Sequence, residues 1–314
     1  MLERIGVIGG GTMGHGIAAA FALHGLSVHI FEPLPAQRAE IMPAVEAAYA
    51  LLVEEAFIDS AAAARALPQI KIFSELATAV TDRDFVVEAI PEKMDLKQTL
   101  FAELDALCPP ATIFATNTSS LPLAPMIDGL PAARRSRTLV THWYNPPLVM
   151  PLVEISCFGN TPIAIHDEVA TLHRTIGKRT AKVIKDVPGL IANRIQQAVA
   201  REVFSLIEQG VADAADIDTA LKFGPAFRYA TTGQLEVADF GGLDIWLTVG
   251  DNLLAVMDAS KAASPILRAK VEQGKLGVKS GEGFYIYDKD TLPAVRGAFL
   301  RRLVTQLKTS RAYS

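Results

Sequence analysis

Four short stretches of this chain carry side chains suited to chemistry: Asn117-Thr118-Ser119-Ser120, His142-Trp143-Tyr144-Asn145-Pro146-Pro147, Val153-Glu154-Ile155, and Pro188-Gly189-Leu190-Ile191-Ala192-Asn193-Arg194. Taking a hydride from an alcohol carbon requires a base for the hydroxyl proton, and histidine suits this because it titrates near neutrality. His142 follows the apolar run 138–140, so it is expected at the exit of a strand. Glu154 falls on the next expected strand. A carboxylate there can bind the other ring nitrogen, fix the tautomer and raise the basicity of the imidazole. Each residue alone also fits a plainer role, His142 as a structural hydrogen-bonder and Glu154 as a surface charge.

A fifth stretch, Gly9-Gly10-Gly11-Thr12-Met13-Gly14, fits the G-x-G-x-x-G pattern. That pattern is weak alone, but here it sits between an expected strand (4–8) and an expected helix (13–24), with Glu32 closing the next strand (27–31). Gly9 permits the tight turn, Gly11 lets backbone approach a pyrophosphate, and Gly14 lets helix and strand pack closely. Thr12 and Met13 open the helix, whose free N–H groups and dipole favour phosphate. The Glu32 carboxylate suits a ribose diol and repels a 2′-phosphate, so NAD is expected over NADP. A turn that binds nothing, with Glu32 a solvated strand end, is the plain alternative.

The elements that must position these groups alternate. Strands are expected at 70–73, 85–89, 112–115, 137–141, 152–155 and 181–184, and helices at 36–55, 95–107 and 165–176. Alternating βα order implies a mostly parallel sheet with helices on both faces, and ligands then sit beyond the C-terminal ends of the strands. The pattern changes at Asp186-Val187-Pro188-Gly189, after which helices are expected at 190–209, 213–221, 243–257 and 265–273. The reading is thus an α/β chain with a Rossmann-type doubly wound domain (1–186) followed by a smaller all-α domain (187–314). Several helices of the second domain look too apolar to stand exposed, which points to a homodimer through that domain.

Composition narrows the function class. Apolar residues make up 50% and charged ones 20% of the 314 residues, a globular balance. The formal net charge of -4 gives no steering toward nucleic acid or anionic membrane. No stretch approaches the ~20 apolar residues of a membrane span, and no signal peptide is visible. The two cysteines, Cys108 and Cys157, form neither a disulfide framework nor a metal quartet. His24 and His29 have no third ligand nearby, so no metal site is expected. The expectation is a cytoplasmic protein acting on a small molecule.

The order of motifs carries a family resemblance. A Gly-rich turn, Asn-Thr-Ser-Ser, His-x-x-Asn-Pro, a Val-Glu pair after it, Pro-Gly-x-x-x-Asn-Arg, and Gly281-Glu282-Gly283-Phe284-Tyr285 together resemble the L-3-hydroxyacyl-CoA dehydrogenase family over most of the chain. The resemblance implies His142 as base and Glu154 as its partner. It implies Ser119 and Asn193 as hydrogen-bonders to the reacting oxygen or carbonyl of the substrate, Asn145 beside the nicotinamide, and Asn117 and Ser119 among the cofactor-binding residues. Glu92 and Lys97 match residues near the cofactor's ribose and nicotinamide, and Lys279 matches a lysine that reaches the cofactor from the second domain.

Two departures bear on the substrate. CoA-binding members carry lysines in the helical segment after the second strand, whereas residues 33–70 here contain none, only Arg38 and Arg65 against Glu40, Glu46, Glu54, Glu55 and Asp59. At 223–235 the chain is similar to the branch acting on free hydroxy acids, such as gulonate and carnitine dehydrogenases, and Arg228 would supply a bidentate fork for a carboxylate. Trp143 suggests a small aromatic-walled pocket, and a similar His-Trp-x-Asn-Pro-Pro stretch occurs in a dehydrogenase of pyridine carboxylates. The expected reaction is oxidation of a 3-hydroxy acid or its thioester to the 3-oxo product. Its rivals are a dehydrogenase of a small free carboxylate that binds no CoA, and a non-catalytic NAD(H)-binding protein.

Overall fold

The computed structural model describes residues 2–313; the outermost residues of the two expected domains, 1 and 314, lie outside them. Two compact units form, one running to Ala192 and including Leu303–Leu307, the other comprising Asn193–Arg302 and the residues from Lys308 on.

The first unit contains β1 (Arg4–Ile8), α1 (Thr12–Leu23), β2 (Ser27–Phe31), α2 (Pro35–Glu54), α3 (Ser60–Ala66), β3 (Ile70–Phe73), α4 (Leu76–Val80), β4 (Phe85–Glu88), α5 (Met94–Leu107), β5 (Ile113–Thr116), α6 (Leu123–Ile127), α7 (Ala132–Arg135), β6 (Thr138–Trp143), β7 (Leu152–Ser156), α8 (Ile163–Thr175) and β8 (Arg179–Val183). The eight strands form one sheet in the order β3-β2-β1-β4-β5-β6-β7-β8. Every pairing is parallel except β6 with β7. This is a doubly wound Rossmann-type sheet, extended past its sixth strand by an antiparallel step. The apolar runs of β4 and β5 are buried at every position because helices cover both faces.

Side-chain alternation divides the core in two. Ile5, Val7, Phe85, Val87, Leu139 and Trp143 pack with α1 and α8. Ile8, Val86, Phe114 and Val140 face the other way, toward α5 and α6. Period-two geometry therefore puts His142 and Trp143, adjacent in sequence, on opposite faces of β6.

The second unit is helical, with α9 (Ala192–Glu208), α10 (Ala214–Phe223), α11 (Pro225–Tyr229), α12 (Gln234–Gly241), α13 (Leu243–Leu253), α14 (Pro265–Glu272) and α15 (Leu292–Ser310). Asp213 caps α10 by accepting the Asp216 N–H, and Phe204 stacks on Phe284 at 5.5 Å between ring centroids. The sequence pattern did not mark α15. Its Pro293 lies in the first turn, where a missing N–H costs nothing; its segment Leu303–Leu307 is counted in the first unit, and there Val304 is buried with Leu52 and Val149.

Candidate active site

The polar groups gather at the C-terminal ends of the strands. β6 runs two residues further than its apolar pattern suggests, so His142 lies within the strand, directly across the antiparallel pair from Glu154. Directly opposed residues share a face. His142 Nδ1 and Glu154 Oε2 are 2.8 Å apart, and both side chains are buried. The second carboxylate oxygen, Oε1, accepts the N–H groups of Ile191 at 2.9 Å and Ala192 at 3.0 Å, at the start of α9. Burial pushes the Glu154 carboxyl up, but the bond from His142 and those from the two amides outweigh it and hold the carboxyl below its ordinary value. An ionised Glu154 accepts a hydrogen bond from the Nδ1–H of a neutral imidazole, which leaves the Nε2 lone pair to receive a proton. Tyr144 packs edge-on to the imidazole at 5.1 Å, and burial, then the Glu154 charge, push its phenol up to about 12.

The Gly-rich turn connects β1 to α1. Gly9 has φ +99°, and a Cβ on Gly14 would collide with the carbonyl oxygen of Gly9. A Cβ on Gly11 would meet nothing within 4 Å, and no side chain caps α1. This open, uncapped helix start, where Thr12 is exposed and Met13 half-buried, fits a pyrophosphate. Glu32 closes β2 and reaches back to the turn. One of its oxygens accepts the Gly10 N–H and the other the Leu34 N–H, each at 3.0 Å. That leaves lone pairs on both oxygens for a ribose diol.

Between these groups lies the loop after β5. The Asn117 side-chain oxygen accepts the Trp143 N–H at 2.8 Å, tying the loop to the end of β6. Glu92 Oε1 accepts from Thr118 Oγ1 at 2.7 Å and from the N–H groups of Ser119 and Ser120 at 2.9 Å each. Those bonds draw the Glu92 carboxyl down to about 2 against the effect of burial. Ser119 is exposed, and its carbonyl accepts the Gly189 N–H at 3.1 Å, within a turn where Gly189 and Leu190 both have positive φ, +82° and +50°. A bulky residue at positive φ is strained and persists only where its surroundings fix it. Asn145 is exposed on the loop after β6.

One expectation is corrected. Trp143 lines no pocket: it is 2% exposed in the core face of the sheet, edge-on to Phe21 at 5.5 Å and tilted against His173 at 5.2 Å. The cause is alternation along β6, which the His-Trp pairing in sequence disguises. The Lys97 ammonium is buried on both oxygens of Glu88, at 2.6 and 2.7 Å, and lies 3.4 Å from Glu92 Oε2. In the second unit, Asn193 is the second residue of α9, Arg228 is exposed on α11, and Lys279 is exposed in the turn before Gly281. No ion pair involves the Arg228 guanidinium among the described residues.

Among the buried charges that the sequence reading passed over, Glu88 and Lys178 lie near the site. Glu88 ends an apolar strand, and its only sequence signal is an acid in that place nine positions before Lys97. Lys178 donates to the carbonyls of Pro147 at 2.6 Å and Met150 at 2.9 Å and so braces the loop after Asn145; burial lowers its ammonium to about 7. Among the described residues no cluster of His, Cys, Asp or Glu is arranged to hold a metal ion.

Comparison with known proteins adds the family. Residues 4–187 match the model described as 3-hydroxyacyl-CoA dehydrogenase, NAD binding domain, and residues 189–287 match the model of its C-terminal domain. The chain is 33% identical over 310 residues to a 5-formyl-3-hydroxy-2-methylpyridine 4-carboxylate 5-dehydrogenase of Mesorhizobium japonicum, covering 97% of each chain. It is 35% identical to an L-carnitine dehydrogenase of Streptomyces coelicolor, over 74% of this chain and 72% of that one. It is 33% identical to the mitochondrial hydroxyacyl-coenzyme A dehydrogenase of Homo sapiens, over 91% and 92%. A crystal structure of a 5-formyl-3-hydroxy-2-methylpyridine 4-carboxylic acid 5-dehydrogenase, described as an NAD+ dependent dismutase, superposes with TM-score 0.91 at 30% identity over all of both chains. A crystal structure of (S)-3-hydroxybutyryl-CoA dehydrogenase from Ralstonia eutropha gives 0.74 at 31% identity, over 92% of this chain and 100% of that one. With an NAD-type turn, a buried His–Glu pair and both family domains present in order, this chain belongs to the 3-hydroxyacyl-CoA dehydrogenase family and is an NAD-dependent dehydrogenase acting on CH–OH groups.

Proposed function

We propose that the chain oxidises the hydroxyl of a 3-hydroxy acid or 3-hydroxyacyl thioester to the 3-oxo product, with His142 as the base and Glu154 as its partner. The observation that carries this reading is the 2.8 Å bond from Nδ1 of His142 to a buried carboxylate. Bound NAD supplies the hydride acceptor. Glu32 and the uncapped start of α1 would hold its ribose and pyrophosphate, with Gly9, Gly11, Thr12, Met13 and Gly14 forming the turn; Glu92, Lys97, Asn117, Ser119, Asn145 and Lys279 would complete the cofactor's surroundings. Ser119 and Asn193 hold the reacting oxygen. Nε2 of His142 takes the hydroxyl proton, and Glu154 stabilises the imidazolium that results.

Specific observations favour a free carboxylate over a CoA thioester within this reading. The Arg228 fork is exposed without an ion-pair partner among the described residues, and residues 33–70 hold no lysine for CoA phosphates. Relatives matching this chain include enzymes named for pyridine carboxylate and for carnitine. The helical domain expected at 187–314 also carries an interface between two copies: Leu235 and Phe240 stand 83% and 85% exposed, beyond what a solitary domain leaves open. No described helix is long and apolar enough to cross a membrane, and a cytoplasmic location is part of the proposal.

The test is a screen of 3-hydroxy acids and 3-hydroxyacyl-CoA esters followed by NADH absorbance. A free-acid substrate is expected, with Arg228→Ala raising its KM. Brisk acetoacetyl-CoA reduction that survives Arg228→Ala assigns the thioester instead. His142→Ala is expected to lower turnover on the order of 10²-fold or more; parental turnover in that variant overturns the mechanism.

A further inference from the structure

The loop 144–151 joins the strand of His142 to the strand of Glu154, and its sequence leaves it short of donors. Pro146, Pro147 and Pro151 have no N–H, so the loop cannot pair its carbonyls as a ladder would. The N–H groups of Val149 and Met150 both turn to the Pro146 carbonyl, at 3.1 and 2.9 Å. The carbonyls of Pro147, Leu148 and Met150 are met instead by a single side chain, the Lys178 ammonium, at 2.6, 3.4 and 2.9 Å. Lys178 stands in the turn between α8 and β8, where its own N–H donates to the His173 carbonyl at 3.0 Å and the next N–H, of Arg179, donates to the Pro151 carbonyl at 2.8 Å. Its Nζ also lies 5.1 Å from the ring centroid of Trp143, the residue after His142. No ion pair involves Lys178 among the described residues; carbonyl dipoles and an aromatic face offset its loss of water in place of an acid. On the loop's other side Pro147 packs against α1, so closely that a Cβ on Gly16 would come 3.0 Å from Pro147 Cδ.

We propose that Lys178 is a positioning residue for hydride transfer: by gripping three carbonyls of the loop 144–151, it sets the place of Asn145 between the strand of His142 and the helix α1. The proposal rests on the reading of Asn145 as lying beside the nicotinamide. An ammonium has three donors at one point, and three carbonyls converge on it here. No neutral side chain offers that. The grip is passed on because the link is stiff. Pro146 and Pro147 each have φ fixed by their rings, so a shift of the Pro147 carbonyl moves Asn145 instead of being absorbed between them. The side chain of Lys178 is buried and its donors point into the loop, so it acts on the reaction through the place it gives Asn145. The burial that lowers its ammonium to about 7 is the cost of holding the loop in this way.

The experiment uses the full chain and compares Lys178→Met, Asn145→Ala, the two combined, and Gly16→Ala. Turnover is counted per NADH-binding site from a fluorescence titration, so that a misfolded fraction does not enter. Lys178→Met keeps the volume and removes the donors. Its expected kcat per site is on the order of 10- to 100-fold below parent, the range a small misplacement of a positioning group produces. NADH affinity stays near the parental value, because Glu32 and the turn before α1 are untouched. Asn145→Ala then costs much less in the Lys178→Met background than in the parent, since its side chain is already misplaced. A lowered melting temperature with parental kcat per site makes Lys178 merely structural and overturns the proposal. Equal Asn145→Ala costs in the two backgrounds also overturn it, as does a loss of NADH affinity with kcat retained. Gly16→Ala pushes the loop from the opposite side with Lys178 in place, and it carries the test if Lys178→Met does not fold. A few-fold loss of kcat per site is expected there, and an unchanged kcat overturns the proposal. Parental turnover in Asn145→Ala alone is a different failure: it removes the nicotinamide-side reading of Asn145 on which the proposal stands.

Discussion

Glu154→Gln probes the His–Glu pair with almost no change in shape. In the native chain Oε2 accepts from His142 Nδ1 at 2.8 Å, and Oε1 accepts two amides at 2.9 and 3.0 Å. A glutamine offers one acceptor and one donor end, so it satisfies only one side. If its oxygen stays on Ile191 and Ala192, its NH₂ faces Nδ1, which must give up its proton and become an acceptor. The ring proton then moves to Nε2, the atom that must receive one. If the amide turns round, its NH₂ opposes the two N–H groups and the start of α9 is left with unsatisfied donors. The first arrangement loses one bond of Nδ1 to a charged group, worth about 1.5–3 kcal/mol, or roughly one to two decades in rate. The tautomer penalty adds to this and carries comparable pairs elsewhere to about 10⁴-fold. The expected outcome in a steady-state NADH assay is a kcat lower by on the order of 10²- to 10⁴-fold, with KM for NAD unchanged and the folded state retained in a thermal melt. A fully active Glu154→Gln enzyme refutes the reasoning, since no orientation of the amide preserves both the tautomer and the α9 contacts.

Trp143→Phe removes a ring buried between Phe21 and His173. It should destabilise by about 1–3 kcal/mol in urea titration while KM for the substrate stays put; a large KM effect would restore Trp143 to the pocket. The Glu92 carboxyl lies at about 2 in the folded chain against 4.5 in its reference state. A depressed folded value means its stabilisation is fully present above 4.5 and is lost as pH falls from there toward about 2. The stability gap between parent and Glu92→Gln should therefore be constant at neutral and mildly acidic pH and narrow only below that window's upper edge. A gap that closes near neutrality contradicts the assigned bonds.

Much of this architecture was legible because it is local. Gly-x-Gly-x-x-Gly between two apolar runs is a statement about backbone freedom, and the structure gives it a φ of +99° at Gly9 and a Gly14 that admits no Cβ. The strands 4–8, 27–31 and 70–73 stand where the apolar residues put them. The placing of Glu154 opposite His142 was also within reach, since the two residues bound a single antiparallel turn-back between β6 and β7.

What remained hidden depends on contacts between distant segments. Nothing in the run Val86-Val87-Glu88 says that its acid will meet Lys97 and Thr116 in the core, because that meeting needs β4, α5 and β5 assembled. Trp143 misled for a related reason: a motif is read along the chain, but side chains on a strand face alternately, and only the covered sheet decides which face is core. The sequence alone thus determined the succession of strands along the chain, the cofactor turn and the residue types available for proton transfer, all consequences of local sterics and periodicity. The folded chain decided which of those residues share a buried, low-dielectric neighbourhood, where hydrogen bonds and charge pairs gain their strength.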